Sequence, residues 1–186
     1  MNAPSRTAPK GSAWEHWTTP KHVLDRVRKV GVIELDPCSN EASEVNARGS
    51  WRGLKHASCD GLFEPWGLGL VFVNPPYGRA LGDWTKKISA EGTAGAEIIA
   101  LLPASMGPAW MHDNVLASAH AMLLVRGRLK FGNPPPTGSS SSTFDNLIAY
   151  WGRRTDAFCD AFEDMGHLSL LNVEIPTPIT RAAARS

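Results

Sequence analysis

The chain has almost no surplus of either charge: 19 Lys and Arg against 18 Asp and Glu, a net of +1 over 186 residues. That excludes a global basic field, so any nucleic-acid partner must be met through a local patch. Only three cysteines occur, Cys38, Cys59 and Cys159, an odd number without C-x-x-C or Cys/His ligand spacing. A disulfide framework and a zinc site are therefore not expected, and a reducing cytoplasm is. No metal is implied. There is no apolar run of membrane-spanning length, no signal-peptide core at the N-terminus and no internal repeat. No membrane partner is expected. What the chain does have is hydrophobic residues at 42% with charged residues at only 20%, the composition of a globular domain. It also has seven tryptophans, six of them between Trp14 and Trp110, which suggests flat surfaces in the first two thirds of the fold.

Residues 1–12 and 176–186 are small, polar and Pro/Ala-rich, and read as loose tails around one domain, 13–175. Within it, helical and strand periods alternate. "TPKHVLDRVRKV" puts Val23, Leu24, Val27 and Val30 on one helical face, with Thr19 as N-cap and Pro20 just inside the start. "VIEL" (32–35) reads as a short strand ending at Asp36-Pro37, and 41–59 as a loop with a short helix. "LVFV" (70–73), "EIIALLP" (97–103) and "NLIAYW" (146–151) read as buried strands, and "AMLLVRGRLKF" (121–131) as strand-like. "LGDWTKKISAEG" places Leu81, Trp84 and Ile88 on a core stripe stopped by Gly92. "PAWMHDNVLAS" reads as a helix, and so does "TDAFCDAFEDMG", capped by Thr155 and Gly166. Buried strands alternating with amphipathic helices predict an α/β fold: a mainly parallel sheet with helices on both faces. Ligands of such sheets bind at the carboxyl ends of strands, where Asp36-Pro37 and Asn74-Pro75-Pro76-Tyr77 both fall.

That last tetrapeptide follows the apolar strand directly. As a plain turn it would be unremarked, since Asn and Pro are common in loops. Two consecutive prolines, however, remove two backbone donors and fix two φ angles. What remains is a stiff loop showing carbonyl oxygens, one amide and one aromatic ring. An exocyclic amino group on a base is a poor nucleophile because its lone pair is delocalised into the ring. The Asn74 side-chain oxygen and the Pro75 carbonyl are suited to accept its two hydrogens and draw it toward a tetrahedral nitrogen. Pro76 stiffens the loop, and Tyr77 is suited to stack on the base.

NPPY after an apolar strand resembles the catalytic motif of class I, S-adenosylmethionine-dependent amino-methyltransferases, and the wider order of segments resembles the phage-type DNA N6-adenine methyltransferases (the phage Dam family). Those segments are "WTTP", "ELDPCSN", "CDGLFEPW", "VFVNPPYGR", "IIALLPAS" with "WMHDNV", and "RGRLKFG", together covering about residues 14–152. The resemblance implies an abbreviated Rossmann-like fold and S-adenosyl-L-methionine as cofactor. It implies methyl transfer to N6 of adenine in DNA, with base flipping, and a phage or prophage role in the bacterial cytoplasm, protecting DNA from restriction. It further implies that Trp17, Thr18, Thr19 and Pro20 lie by the methionine end of the cofactor. Asp36, Pro37 and Cys38 would form the first cofactor loop, with the acid facing the methionine ammonium. Asp60 would accept from the cofactor's adenine amino group, with Leu62 and Phe63 flanking that ring, and Asn74 would lie against both cofactor and substrate.

Asp36-Pro37 also reads as an ordinary turn, and Asp60 as an Asx turn with Gly61. No G-x-G follows the first strand, and no strand in 41–59 ends in an acid for the cofactor ribose; Glu41 and Glu44 are the candidates. Arg126, Arg128 and Lys130 alternate with Val125, Leu129 and Phe131, which on a strand segregates cations to one face. Such a face is either a solvated edge or a DNA phosphate contact, as is Arg79 after the catalytic loop. "FGNPPPTGSSSSTF" (131–144) reads as a flexible loop free to close over substrate. His112 reads as a helix-surface or loop residue, not a base. The competing functions are methylation of RNA or of a protein glutamine, and a catalytically silent nucleic-acid binder. Monomer and small homo-oligomer both remain open.

Overall fold

A computed structural model describes residues 17–40, 42–52, 60–132 and 144–172. Its centre is a seven-stranded sheet. The strands are β1 (Ile33–Ser39), β2 (Gly49–Arg52), β3 (Leu70–Val73), β4 (Glu97–Pro103), β5 (Ala121–Val125), β6 (Asn146–Trp151) and β7 (Gly166–Leu170), in the spatial order β2-β1-β3-β4-β6-β5-β7. β1 pairs in parallel with both β2 and β3, and β3 with β4. β6 inserts antiparallel between β4 and β5, and β7 pairs antiparallel with β5 at the edge. β1 to β5 thus share one direction, as a mainly parallel sheet requires, while β6 and β7 oppose it. The reversal of β6 was not legible in the sequence. A strand buried on both faces shows the same unbroken apolar run whichever way it points.

Those runs are explained by what covers them. Along β3, Leu70 and Phe72 face a core shared with helices α1 (Lys21–Val30) and α3 (Thr155–Phe162), whereas Val71 and Val73 face helix α2 (Leu81–Thr93). β4 divides its side chains in the same way, Ile99 and Leu101 to one face, Ile98, Ala100 and Leu102 to the other. Period-two alternation with both faces covered leaves every position apolar. Each such Leu, Ile or Phe stabilises the fold by about 1.5–3 kcal/mol of burial.

Several boundaries differ from the expected ones. β1 runs through Asp36-Pro37 to Ser39, and β2 lies in the stretch expected to be a loop. α1 starts at Lys21 with no side-chain cap, the Pro20 carbonyl accepting from the amides of Val23 and Leu24. The Thr19 hydroxyl is engaged elsewhere. Gly92 does not stop α2, which ends at Thr93 beside Gly95 in the left-handed region at φ 104°. Gly92 is small for a different reason: a Cβ there would lie 2.6 Å from the Trp151 ring.

Likewise Thr155 opens α3 without capping it, and Gly166 begins β7. A Cβ on Gly166 would meet the Leu124 carbonyl oxygen at 1.9 Å, so only glycine lets this edge strand close onto β5. The expected helix after β4 is wider in part: Met111–Leu116 is π-helical, with the Ala117 amide donating to the His112 carbonyl.

Candidate functional site

The chain lays β2 on one side of β1 and then crosses to lay β3 on the other. The carboxyl ends of β1 and β3 therefore flank the point where strand order reverses, the crevice in which open α/β sheets bind ligands. Asp36 sits on the β1 side, only 3% exposed. Its Oδ1 accepts from the Cys38 amide at 3.3 Å and its Oδ2 from the Ser43 hydroxyl at 3.2 Å. Burial outweighs these bonds and pushes the carboxyl up to about 6. Burial and the neighbouring Asp36 charge also push the Cys38 thiol well up, against a hydrogen bond donated to it by the Asn74 amide. Cys38 thus bridges the ends of β1 and β3.

Asn74 opens the loop after β3, where its side-chain Nδ2 donates to the buried Thr19 hydroxyl at 3.2 Å. With that nitrogen engaged, the amide oxygen is the end left to accept. Thr18 is held in turn by a two-bond antiparallel bridge to Gly132, and Asn40 Nδ2 donates to the Trp17 carbonyl at 3.1 Å. The Gly132 bridge needs a glycine, because a Cβ would lie 2.3 Å from Thr18 Oγ1. Trp17 packs on Phe131 with ring centroids 5.6 Å apart. So the "WTTP" segment, the end of β1 and the NPPY loop meet, as the strand-end argument requires.

The "CDGLF" segment joins them through Gly61, where a Cβ would lie 2.2 Å from the Pro37 carbonyl oxygen. Asp60 Oδ1 accepts from the Leu62 amide at 2.9 Å, the Asx turn weighed above. Leu62 is half-buried against the α2-side core, whereas Phe63 is 80% exposed. Trp66, whose indole donates to the Gly61 carbonyl at 2.7 Å, ties this turn to the core.

Tyr77 is anchored by its hydroxyl, which donates to the Leu101 carbonyl at 3.4 Å and accepts from Asn146 Nδ2 at 3.3 Å. Burial of the phenol pushes its pKa far up. The ring stands edge-on to Phe144 at 6.4 Å.

The basic trio departs from its expected geometry. β5 ends at Val125 and Gly127 takes φ 78°, so the three cations do not share a strand face. The alternation of exposure survives: Arg126, Arg128 and Lys130 are exposed while Leu129 and Phe131 are buried. Arg128 approaches Asp145 at 3.9 Å. Lys130 lines an open groove of about 470 Å³ with Thr18, Thr19, Glu44 and Gly132. Arg79 is exposed in the turn before α2. β2 carries no acid and ends at Arg52. Glu41, the 131–144 loop from residue 133 to 143, and both expected tails lie outside the described residues. His112 is on the surface, donating from Nε2 to the Met106 carbonyl at 2.8 Å.

Sequence reasoning missed Ser43, Asn40 and Asn146. Ser43 lies in the unpatterned stretch, Asn40 ends the "ELDPCSN" segment without being singled out, and nothing marks Asn146 except a polar residue heading an apolar strand. Among the described residues, no three His, Cys, Asp or Glu side chains are grouped to hold a metal, and no helix is long and apolar enough to cross a membrane.

The sheet, its switch point and the rigid loop at the end of β3 are those of an α/β methyltransferase fold. The family described as DNA N-6-adenine-methyltransferase (Dam) matches residues 6–160, and the chain belongs to that family. It is accordingly a DNA adenine N6-methyltransferase. No match was found among curated proteins.

Proposed function

We propose that a single catalytic domain over residues 13–175 binds S-adenosyl-L-methionine at the end of β1 and clamps the adenine amino group at the end of β3. The observation that carries this reading is the junction of Asp36, Thr19 and Asn74 within one hydrogen-bonded cluster at the switch point. The cofactor, when bound, supplies an electrophilic methyl group on sulfonium sulfur. A buried carboxylate held near neutrality is a counter-ion in waiting, and the methionine ammonium fits it.

Thr18, Thr19 and Pro20 flank that end, while Pro37 and Cys38 form the loop floor and Trp17 packs behind it. The unused Asp60 oxygen and Leu62 serve the cofactor's adenine. Thr19 fixes the Asn74 amide so that its oxygen, with the Pro75 carbonyl, accepts the two amino hydrogens of the target base. Pro76 keeps the loop stiff and Tyr77 stacks on the base. Neutral asparagine accepts without removing a proton during transfer, and the methylated nitrogen would shed its extra proton to solvent afterwards, so the rate gain comes from positioning and from acceptors aimed at a nitrogen gaining positive charge. Lys130, at the groove beside Thr18, contacts DNA phosphate, with Arg79, Arg126 and Arg128 as peripheral contacts.

The test is calorimetric binding of S-adenosylmethionine across pH. The ammonium requires ionised Asp36, and the free carboxyl titrates at about 6. Affinity is flat above neutrality and falls about tenfold for each pH unit below that value. Binding near pH 7 takes up no proton, whereas at pH 5 it releases one. Affinity independent of pH between 5 and 8 would remove Asp36 from the ammonium site.

A further inference from the structure

Asn146 is the least expected polar residue in the protein. It heads β6, is 1% exposed, and sits opposite Pro103 in the β4 ladder at the same sheet edge as the NPPY loop. Its Nδ2 donates to the Tyr77 hydroxyl, yet among the described residues its Oδ1, equally buried, finds no hydrogen-bond donor. A half-satisfied buried amide works against the fold, since leaving one polar atom unpaired costs more than its single bond returns. An apolar residue of the same shape would serve β6 better. The amide must therefore answer to something other than stability.

What it touches is the phenol. A tyrosine ring turns about two side-chain torsions; its hydroxyl oxygen lies on the axis of the second, so that torsion is set by the directions of the hydroxyl's partners, because the O–H and the accepting lone pair favour the ring plane. The Leu101 carbonyl alone supplies an acceptor, about which a hydroxyl is free to pivot. Asn146 adds a donor from a second strand, and Phe144, two residues before it, meets the ring edge-on. β4 and β6 together thus lock the plane of the ring from the end opposite its backbone.

We propose that Asn146 is a positioning residue for methyl transfer: through the Tyr77 hydroxyl it sets the plane on which the target adenine stacks. The proposal rests on the stacking role of Tyr77 given above. It also explains why a hydroxyl-bearing ring stands there, since stacking alone would be served by phenylalanine.

The test compares Asn146→Leu, Tyr77→Phe, their double variant and Tyr77→Ala in methyl transfer to mixed-sequence duplex DNA, with thermal melting and S-adenosylmethionine affinity measured on each. Asn146→Leu is expected to leave the melting temperature unchanged or higher and cofactor affinity within twofold, while kcat falls about tenfold. Tyr77→Phe, which removes that bond together with the one to the Leu101 carbonyl, is expected to lose at least as much, and the double variant to be no worse than Tyr77→Phe, because Asn146 acts only through the hydroxyl. A kcat for Asn146→Leu within twofold of wild type, or a double variant whose losses multiply, overturns the proposal. So does a fall in kcat that only follows a lower melting temperature. Tyr77→Ala separates the two levels of the argument. If it retains wild-type kcat, the stacking role itself is wrong; if it loses activity while Asn146→Leu does not, only the positioning role fails.

Discussion

Asn74→Ala is expected to lower kcat by about 10²–10³ while leaving S-adenosylmethionine affinity within a few-fold of wild type. The loss is that of one acceptor directed at charge developing on the reacting nitrogen, about 3–4 kcal/mol by analogy with single oxyanion-hole donors. The separation of rate from binding follows from the geometry. Among the described residues, the Asn74 side chain reaches the Trp17–Pro20 segment only through one 3.2 Å bond to Thr19, whereas the Asn74 backbone amide that meets Cys38 is retained in the variant. Steady-state kinetics with calorimetry checks both halves. A variant that binds the cofactor a hundredfold more weakly but turns over normally would make Asn74 a cofactor ligand and nothing more.

Asp36→Asn is expected to do the opposite to stability and to binding. The carboxyl titrates at about 6 in the fold against 3.8 unfolded. A folded value above the unfolded one means that the protonated acid suits the fold. The associated stability is fully present below pH 3.8 and is lost as pH rises through about 6. At about 1.4 kcal/mol for each pH unit between those values, the ionised group costs the cofactor-free protein roughly 3 kcal/mol at pH 8. Asparagine keeps an acceptor for the Cys38 amide and carries no charge. A gain of about 2 kcal/mol, or roughly 4–8 °C in melting temperature, is expected at pH 8 and none at pH 4. Cofactor affinity is expected to fall about 10²–10³-fold, since the ammonium would be desolvated with no counter-charge. Melting curves at the two pH values, with and without cofactor, read both effects. A variant destabilised at pH 8 would show that the Asp36 charge holds the end of β1 together rather than waiting for a ligand.

The sequence disclosed the architecture where hydrophobic period and chain punctuation agree. β3, β4 and β6 have the boundaries their apolar runs announce. The NPPY loop was legible because two prolines and an asparagine at a strand end have few structural uses. The failures share one cause, which is that capping, turning and pairing are settled by tertiary contacts. Thr19 carries the signature of an N-cap, but its hydroxyl meets Asn74, 55 residues away. Gly92 and Gly166 look like helix stops, yet each is small because a ring or a carbonyl lies against it. β2 and β7 are short, polar edge strands whose sequences alone do not distinguish them from loops. Asn146 is invisible for the same reason: its meaning lies in Tyr77, on another strand end.

Where the methyl group goes decides the reaction most directly. The decisive measurement is incubation of the protein with methyl-labelled S-adenosylmethionine and mixed-sequence duplex DNA, followed by digestion to nucleosides, with Asn74→Ala alongside. Label in N6-methyladenine is expected for wild type, and at least a hundredfold less for the variant at equal cofactor occupancy. Label in a methylated cytosine, or equal N6-methyladenine from both proteins, would contradict that expectation.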